Sequence, residues 1–202
     1  MKKLILFTSA ILFAVTVNAQ TEKGQFLVGG QVNYLSEKSD ADNAKATQSF
    51  NIVPNVGYFV SDNIAVGTGI GYEYSKTPGN NARKDQAFVV SPFGRYYVGN
   101  NSQFKFFTQL SVPLAFGNVK VADNGDDFSK VGSSTSIGVN LAPGFAFFPT
   151  SRIGIEFALN GISYENKRVK DADDNTVDGQ GSDTFSVGGN FFAPKVGIQF
   201  HF

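Results

Sequence analysis

The last nine residues read Pro194-Lys-Val-Gly-Ile-Gln-Phe-His-Phe202, and their side chains alternate. Pro194, Val196, Ile198, Phe200 and Phe202 share one parity; Lys195, Gly197, Gln199 and His201 share the other. A period of two sends the two sets to opposite faces of an extended strand. The pattern recurs along the chain. Ile64, Val66, Ile70, Tyr72 and Tyr74 alternate with Gly67, Gly69, Gly71 and Glu73, and Ile137, Val139, Leu141 and Phe145 alternate with Gly138, Asn140 and Ala146. Five charges fall inside such stretches: Glu73, Arg95, Lys105, Glu156 and Lys195. All five take the small or polar parity, so each strand has one face that is greasy throughout.

That parity decides which side of a barrel is wet. A soluble barrel turns its apolar set inward and its charges outward. Here the apolar set is too bulky for the lumen of eight strands, whereas the charges share their parity with small and amide residues. Turned outward, the same set makes a lipid band, for which strands of about 10 residues suffice. Closure pairs every backbone group, as hydrocarbon requires. Aromatic rings gather at both strand ends, Tyr58, Tyr96, Phe104, Phe147 and Phe202 at one and Tyr34, Phe50, Tyr72, Tyr74 and Phe88 at the other. These are the girdles of a membrane barrel. Inward glycines and alanines leave room in the lumen, which Phe93, Tyr97, Phe107 and Phe191 refill.

Eight runs carry the alternation, near residues 25–35, 48–60, 64–75, 86–98, 104–116, 136–147, 152–164 and 184–202. Ser61-Asp62-Asn63, residues 99–102 and Pro149-Thr150-Ser151 have the chemistry of tight turns. Polar segments 36–46, 76–85, 118–132 and 165–183 read as long loops. Short and long connections in alternation predict an all-β, eight-stranded antiparallel up-and-down transmembrane β-barrel. The hairpin repeats: Pro54-Asn-Val-Gly-Tyr-Phe-Val60 matches Pro92-Phe-Gly-Arg-Tyr-Tyr-Val98, with looser echoes from Pro143 and Pro194. A strand proline forfeits a ladder hydrogen bond, so bulges are expected at these four levels.

The chain begins with an address. Met1-Lys2-Lys3 is a basic start, residues 4–17 are apolar, and Val17-Asn18-Ala19 offers small groups to a peptidase. Residues 1–19 read as a signal peptide cleaved after Ala19, and residues 20–202 as the barrel domain. The apolar run is shorter than the ~20 residues of a helical span.

The remaining chemistry is sparse. Formal net charge is zero, so no nucleic-acid partner is implied. With no cysteine and one histidine, no disulfide, thiolate metal site or cofactor is expected. His201 faces inward one residue from the end, without the nucleophile and orienting acid that catalysis needs, so the chain does not read as an enzyme. Asp171-x-Asp173-x-Asn175 begins like a calcium loop. Thr176 and Ser182, however, stand where Gly and Glu belong, and a solvated loop is the simpler reading. Lys76, Arg83 and Lys84 offer charge to lipopolysaccharide phosphates, although solvation is again the simpler reading.

The signal peptide, eight alternating strands, polar loops and terminal Phe202 resemble the small outer-membrane barrels of the OmpX/OmpA type. The run Pro54–Gly67 resembles the porin-like outer membrane protein beta-barrel domain family. The resemblance implies a bacterial outer-membrane location and a C-terminal strand read by the assembly machinery, here through Val196, Ile198, Phe200 and Phe202. A monomer in contact with outer-membrane lipids and lipopolysaccharide is expected. Glu73, Arg95, Lys105, Glu156 and Lys195 are the expected lumen network, with Arg95 and Lys105 at matching heights and Glu156 beside Lys195. A network that plugs the lumen implies a structural or surface-interaction protein contacting cells or ligands through its loops. The alternative is a small-solute porin conducting past Arg95, Lys105, Glu156 and Lys195. Membrane residence predicts a band that migrates differently before and after boiling on a denaturing gel, whereas a freely soluble protein would show no such shift.

Overall fold

A computed structural model describes residues 21–38, 45–79, 81–99, 101, 103–123, 127–173, 175–177, 179–188 and 195–202. The signal-peptide reading and the expectations for Phe191 and Pro194 lie outside them. The strands are β1 (Phe26–Glu37), β2 (Thr47–Ser61), β3 (Ile64–Thr77), β4 (Asn81–Val98), β5 (Phe104–Ser111), β6 (Leu114–Asp123), β7 (Ser129–Thr150), β8 (Ile153–Ala158), β9 (Ile162–Asp171), β10 (Ser182–Val187) and β11 (Lys195–His201). Two pairs of segments are single staves interrupted once, β5 with β6 and β8 with β9, and β10 and β11 pair with β9 and β8 of one such stave and count as the eighth. Each of the eight resulting staves pairs antiparallel with its neighbours. β1 closes the ring on β11, from Leu27 opposite His201 to Gly30 opposite Ile198. Phe26 and Phe202 lock that seam by exchanging two backbone hydrogen bonds of 2.9 Å.

The large apolar side chains face out. Val32 is 66% exposed, Phe106 69% and Ile198 53%, while inward Leu27, Phe59 and Ala146 are fully buried. The protein is thus inside out relative to a soluble barrel, as the charge parity requires.

Pro54, Pro92 and Pro143 do not make bulges. Register shifts occur between Phe59 and Ser61, between Val119 and Lys120, and between Phe147 and Thr150, the last around Pro149 at the turn end of β7, and none of them at Pro54, Pro92 or Pro143. Instead, pairing lapses on one side of each. The β2–β3 register skips Val53 and Pro54 and resumes in step. Pro92 faces the break between β5 and β6 and still accepts Val112 N–H at 3.0 Å; Pro143 faces the break between β8 and β9 and accepts Leu159 N–H at 2.9 Å. A residue's N and C=O point to the same neighbour in an antiparallel ladder, so the ring nitrogen meets the interruption and no donor is missed.

Two of the four expected long loops, 76–85 and 118–132, are mostly strand. β3 and β4 are joined by residues 78–80 alone, and β6 and β7 by residues 124–128. Lys76 is opposite Lys84 and Asn118 opposite Ser133, in continuous ladders. β7 has 22 residues, roughly twice what a bilayer needs, so paired strands rise well clear of the lipid. Beyond the membrane the outward face turns to lysines and amides, while the inward face still buries Val119 and Val169. The hydrophobic contrast fades there although the backbone pairing does not. The turns at the opposite end are tight, with Asn63 at φ 68°, a left-handed position that asparagine tolerates.

Inward rings need space beside them on the adjoining strand. A Cβ on Gly67 would lie 2.7 Å from the Phe93 ring, and one on Gly144 would collide with Phe107. Gly144→Val should cost about 1–3 kcal/mol by overpacking, read as a lower urea midpoint with the same folded gel mobility at zero denaturant.

Candidate functional site

The interior has two storeys. The half nearer the turns is packed solid. Leu27, Phe59, Ala65, Phe93, Tyr97, Phe107, Ala146 and Phe148 form one buried cluster. Tyr97 lies 5.8 Å from both the Phe59 and Phe107 rings, and His201 sits 5.9 Å from Phe59 and 5.3 Å edge-on to Phe148. His201 is 1% exposed, wedged among rings.

Arg95, on β4, holds the top of this packing together. Its Nη1 donates to Glu156 Oε1 on β8 and to Tyr97 Oη at 2.8 Å. Its Nε and Nη2 donate to Gln109 Oε1 at 2.9 and 2.6 Å. Tyr97 Oη adds a 3.2 Å bond to the same Glu156 oxygen. The guanidinium also stacks 4.5 Å from the Phe107 centroid, a cation–π contact. Arg95 and Glu156 are 6% and 5% exposed. A desolvated ion pair persists only where such added hydrogen bonds complete both partners.

Above the pair lies a cavity of about 770 Å³ lined by Asn51, Asn55, Glu73, Asn140 and Lys195, with Arg95 and Glu156 also reaching its wall. Asn51 Nδ2 donates to Glu73 Oε1 at 2.9 Å. The chamber is polar and the layer beneath it aromatic.

The structure gathers only part of the expected network. Arg95 and Glu156 meet directly, although they lie on staves that are not neighbours. Lys195 lines the cavity, one inward position beyond Glu156's partner Gly197, and the ion-pair partner of Glu156 is Arg95. Glu73 stands apart with Asn51. The expectation that Arg95 and Lys105 share a height fails: Arg95 is opposite Gln109, and Lys105 lies four residues further toward the turns. Lys105 Nζ donates instead to Thr21 Oγ1 and to Asn63 Oδ1 at 3.1 Å. Thr21 in turn donates to Asn63 at 2.9 Å, so residues before β1 cap the turn end. Thr21, Gln109, Phe59 and Phe148 were missed by reading charges alone. Their inward parity or their polarity beside the first strand was the available signal.

Outside the lumen, Val196 and Ile198 are more than half exposed and Phe200 39%, on the outward face of β11. In the last loop, Asp171 Oδ1 accepts backbone N–H groups of Asp173 and Asn175, each at 2.9 Å. That turn occupies the carboxylate with its own chain.

A family model described as outer membrane protein beta-barrel domain matches residues 5–200. Among curated proteins none matches the chain in sequence. In structure, the chain is similar to Neisserial surface protein A (TM-score 0.47, 13% identity, covering 88% of this chain and 97% of that one). It is also similar to a major outer membrane protein of Thermus thermophilus (0.48, 11%, 90% and 100%) and to OprG of Pseudomonas aeruginosa (0.43, 14%, 93% and 99%).

Two outcomes follow from these contacts. Arg95→Leu strands a buried carboxylate and should cost about 3–5 kcal/mol in denaturant unfolding, with Arg95→Leu/Glu156→Leu recovering most of it. The backbone N–H donated by Asn175 holds the Asp171 carboxyl below its ordinary value. The turn's hydrogen bonds are therefore intact above the usual aspartate pKa of about 3.9 and are lost as pH falls through the depressed one. The Asn175 amide resonance should titrate with a midpoint below that of an unconstrained aspartate.

Proposed function

We propose, from the premise that this chain is a member of the outer membrane protein beta-barrel domain family, that it is a structural and surface-contact protein of the bacterial outer membrane with a non-conducting lumen. The closed lower storey carries this reading. Phe59, Tyr97 and Phe148 are at most 1% exposed, beneath an Arg95–Glu156 pair that is itself buried. Ions crossing the barrel would have to displace a ring layer and a guanidinium held by four hydrogen bonds. The tall polar hairpins of β3–β4 and β6–β7 supply the surface that would meet ligands or other cells. No step of this role needs a reacting group.

A second reading, a small-solute porin, is favoured by the polar chamber itself. Its path would run past Lys195, Glu156, Arg95 and Lys105, and the lower storey would have to open. The outward Val196, Ile198, Phe200 and Phe202 fit a tail presented to the assembly machinery before the β1–β11 seam closes.

Planar-bilayer recording separates the two roles. The native barrel should give no sustained conductance steps, and Tyr97→Ala/Phe148→Ala should give small flickering currents by removing the packing. Sustained channels from the native protein would make it a porin.

A further inference from the structure

Three rows of side chains cross the outer wall of the barrel in register. Tyr72 is opposite Phe88, and Phe88 opposite Phe116. Two residues further from the turns, Tyr74 is opposite Gln86, and Gln86 opposite Asn118. Two further on, Lys76 is opposite Lys84, Lys84 opposite Lys120, and Lys120 opposite Lys130. Parity places all three rows on the lipid side, because Tyr72, Phe88 and Phe116 are 40–52% exposed, whereas Val119 on the other parity is buried.

The fourth lysine reaches this row through an irregularity. Val119 is opposite Gly132, but Lys120 is opposite Lys130, so Val131 is an inserted residue. A bulge puts two residues against one and re-aims their side chains. Val131 is 44% exposed, as an outward bulge position should be. In unbroken register Val131 would face Lys120 and the row would stop at three.

Like charges directly opposite one another destabilise a sheet, yet four neighbouring strands align their lysines. Lys76 and Lys84 also flank one ring, Phe128, at 5.3 and 4.1 Å from its centroid. Phe128 thus keeps two ammonium groups together. Arg83 belongs elsewhere: it is on the other parity and pairs with Asp85 at 2.8 Å.

The rows follow the chemistry of a lipid boundary: rings, then hydroxyl and amides, then cations. Four residues at about 3.4 Å each, on strands tilted by about 40°, lift the lysines roughly 10 Å above the rings. Rings mark the edge of the acyl region, so the lysines stand at headgroup height. The row is roughly 14 Å wide, from three strand spacings of ~4.8 Å.

We infer that Lys76, Lys84, Lys120 and Lys130 form a binding site for the phosphates of outer-leaflet glycolipid, the lipid A portion of lipopolysaccharide. The inference rests on outer-membrane residence and is independent of whether the lumen conducts. The phosphates neutralise the row while the acyl chains lie along Ile70, Tyr72, Phe88 and Phe116 below it.

Titration of the detergent-solubilised full barrel with fluorescent bisphosphorylated lipid A tests the site. Native protein should bind, with affinity falling as salt rises. K76Q/K84Q/K120Q/K130Q should weaken binding at least about tenfold, because each lysine removed gives up attraction to an anionic headgroup. R83Q/K167Q, on the inward parity, should bind as the native protein does. Dephosphorylated lipid A should bind the native protein at least about tenfold more weakly, an arm that needs no variant to fold. Equal binding by the quadruple variant, or of the dephosphorylated lipid, would overturn the assignment. Displacement by inorganic phosphate alone would reassign the row to a free anion and equally overturn a lipid site.

Discussion

Everything in this protein depends on the seam between its first and last strands. Hydrocarbon offers no partner to an open edge, so a meander of eight staves becomes a membrane structure only when Leu27 through Gly30 meet Ile198 through His201. The Phe26–Phe202 pair of hydrogen bonds anchors that seam on the turn side. The same closure fixes which parity is inside, and thereby puts Gln199 and His201 into the turn-side packing while Ile198 and Phe200 face lipid.

The interior then divides the work. Large inward rings fill the half near the turns because small residues on the adjoining strands let them; Phe93 lies over Gly57 and Gly67, and Phe107 over Gly144. Arg95 spans the barrel to Glu156, joining staves that share no ladder. The polar chamber above contains amides and the Glu73–Asn51 bond, groups that water can also serve. Rigidity is therefore concentrated below and hydration above. The lumen is thus graded, closed packing below and a cavity above.

Parity made most of this legible from the sequence. Alternation anchored on Phe202 identified lipid-facing residues such as Val196, Ile198, Tyr72 and Phe88, and the inward set of five charges. Pairwise geometry within the lumen was not legible, because a period of two gives a side chain its face but not its height. Lys105 is the instance: inward as expected, but tied to Thr21 and Asn63 instead of sharing a level with Arg95. The polar hairpins were read as loops because the outward face turns polar above the lipid and period-two contrast fades, although backbone hydrogen bonds run on. The prolines misled for a related reason. Their cost depends on whether the neighbouring strand is paired at that point, which composition cannot report.

The hairpins that rise past the lipid also limit how this surface can change over evolutionary time. In a paired strand, one inserted or deleted residue turns every side chain beyond it to the opposite face. The wall is therefore open to substitution but nearly closed to single-residue length change, except at a compensating bulge such as that at Val131. Length should drift at the hairpin tips, in residues 38–46 and 172–181, and by even steps within the staves. Relatives that differ in the height of this collar should differ in twos.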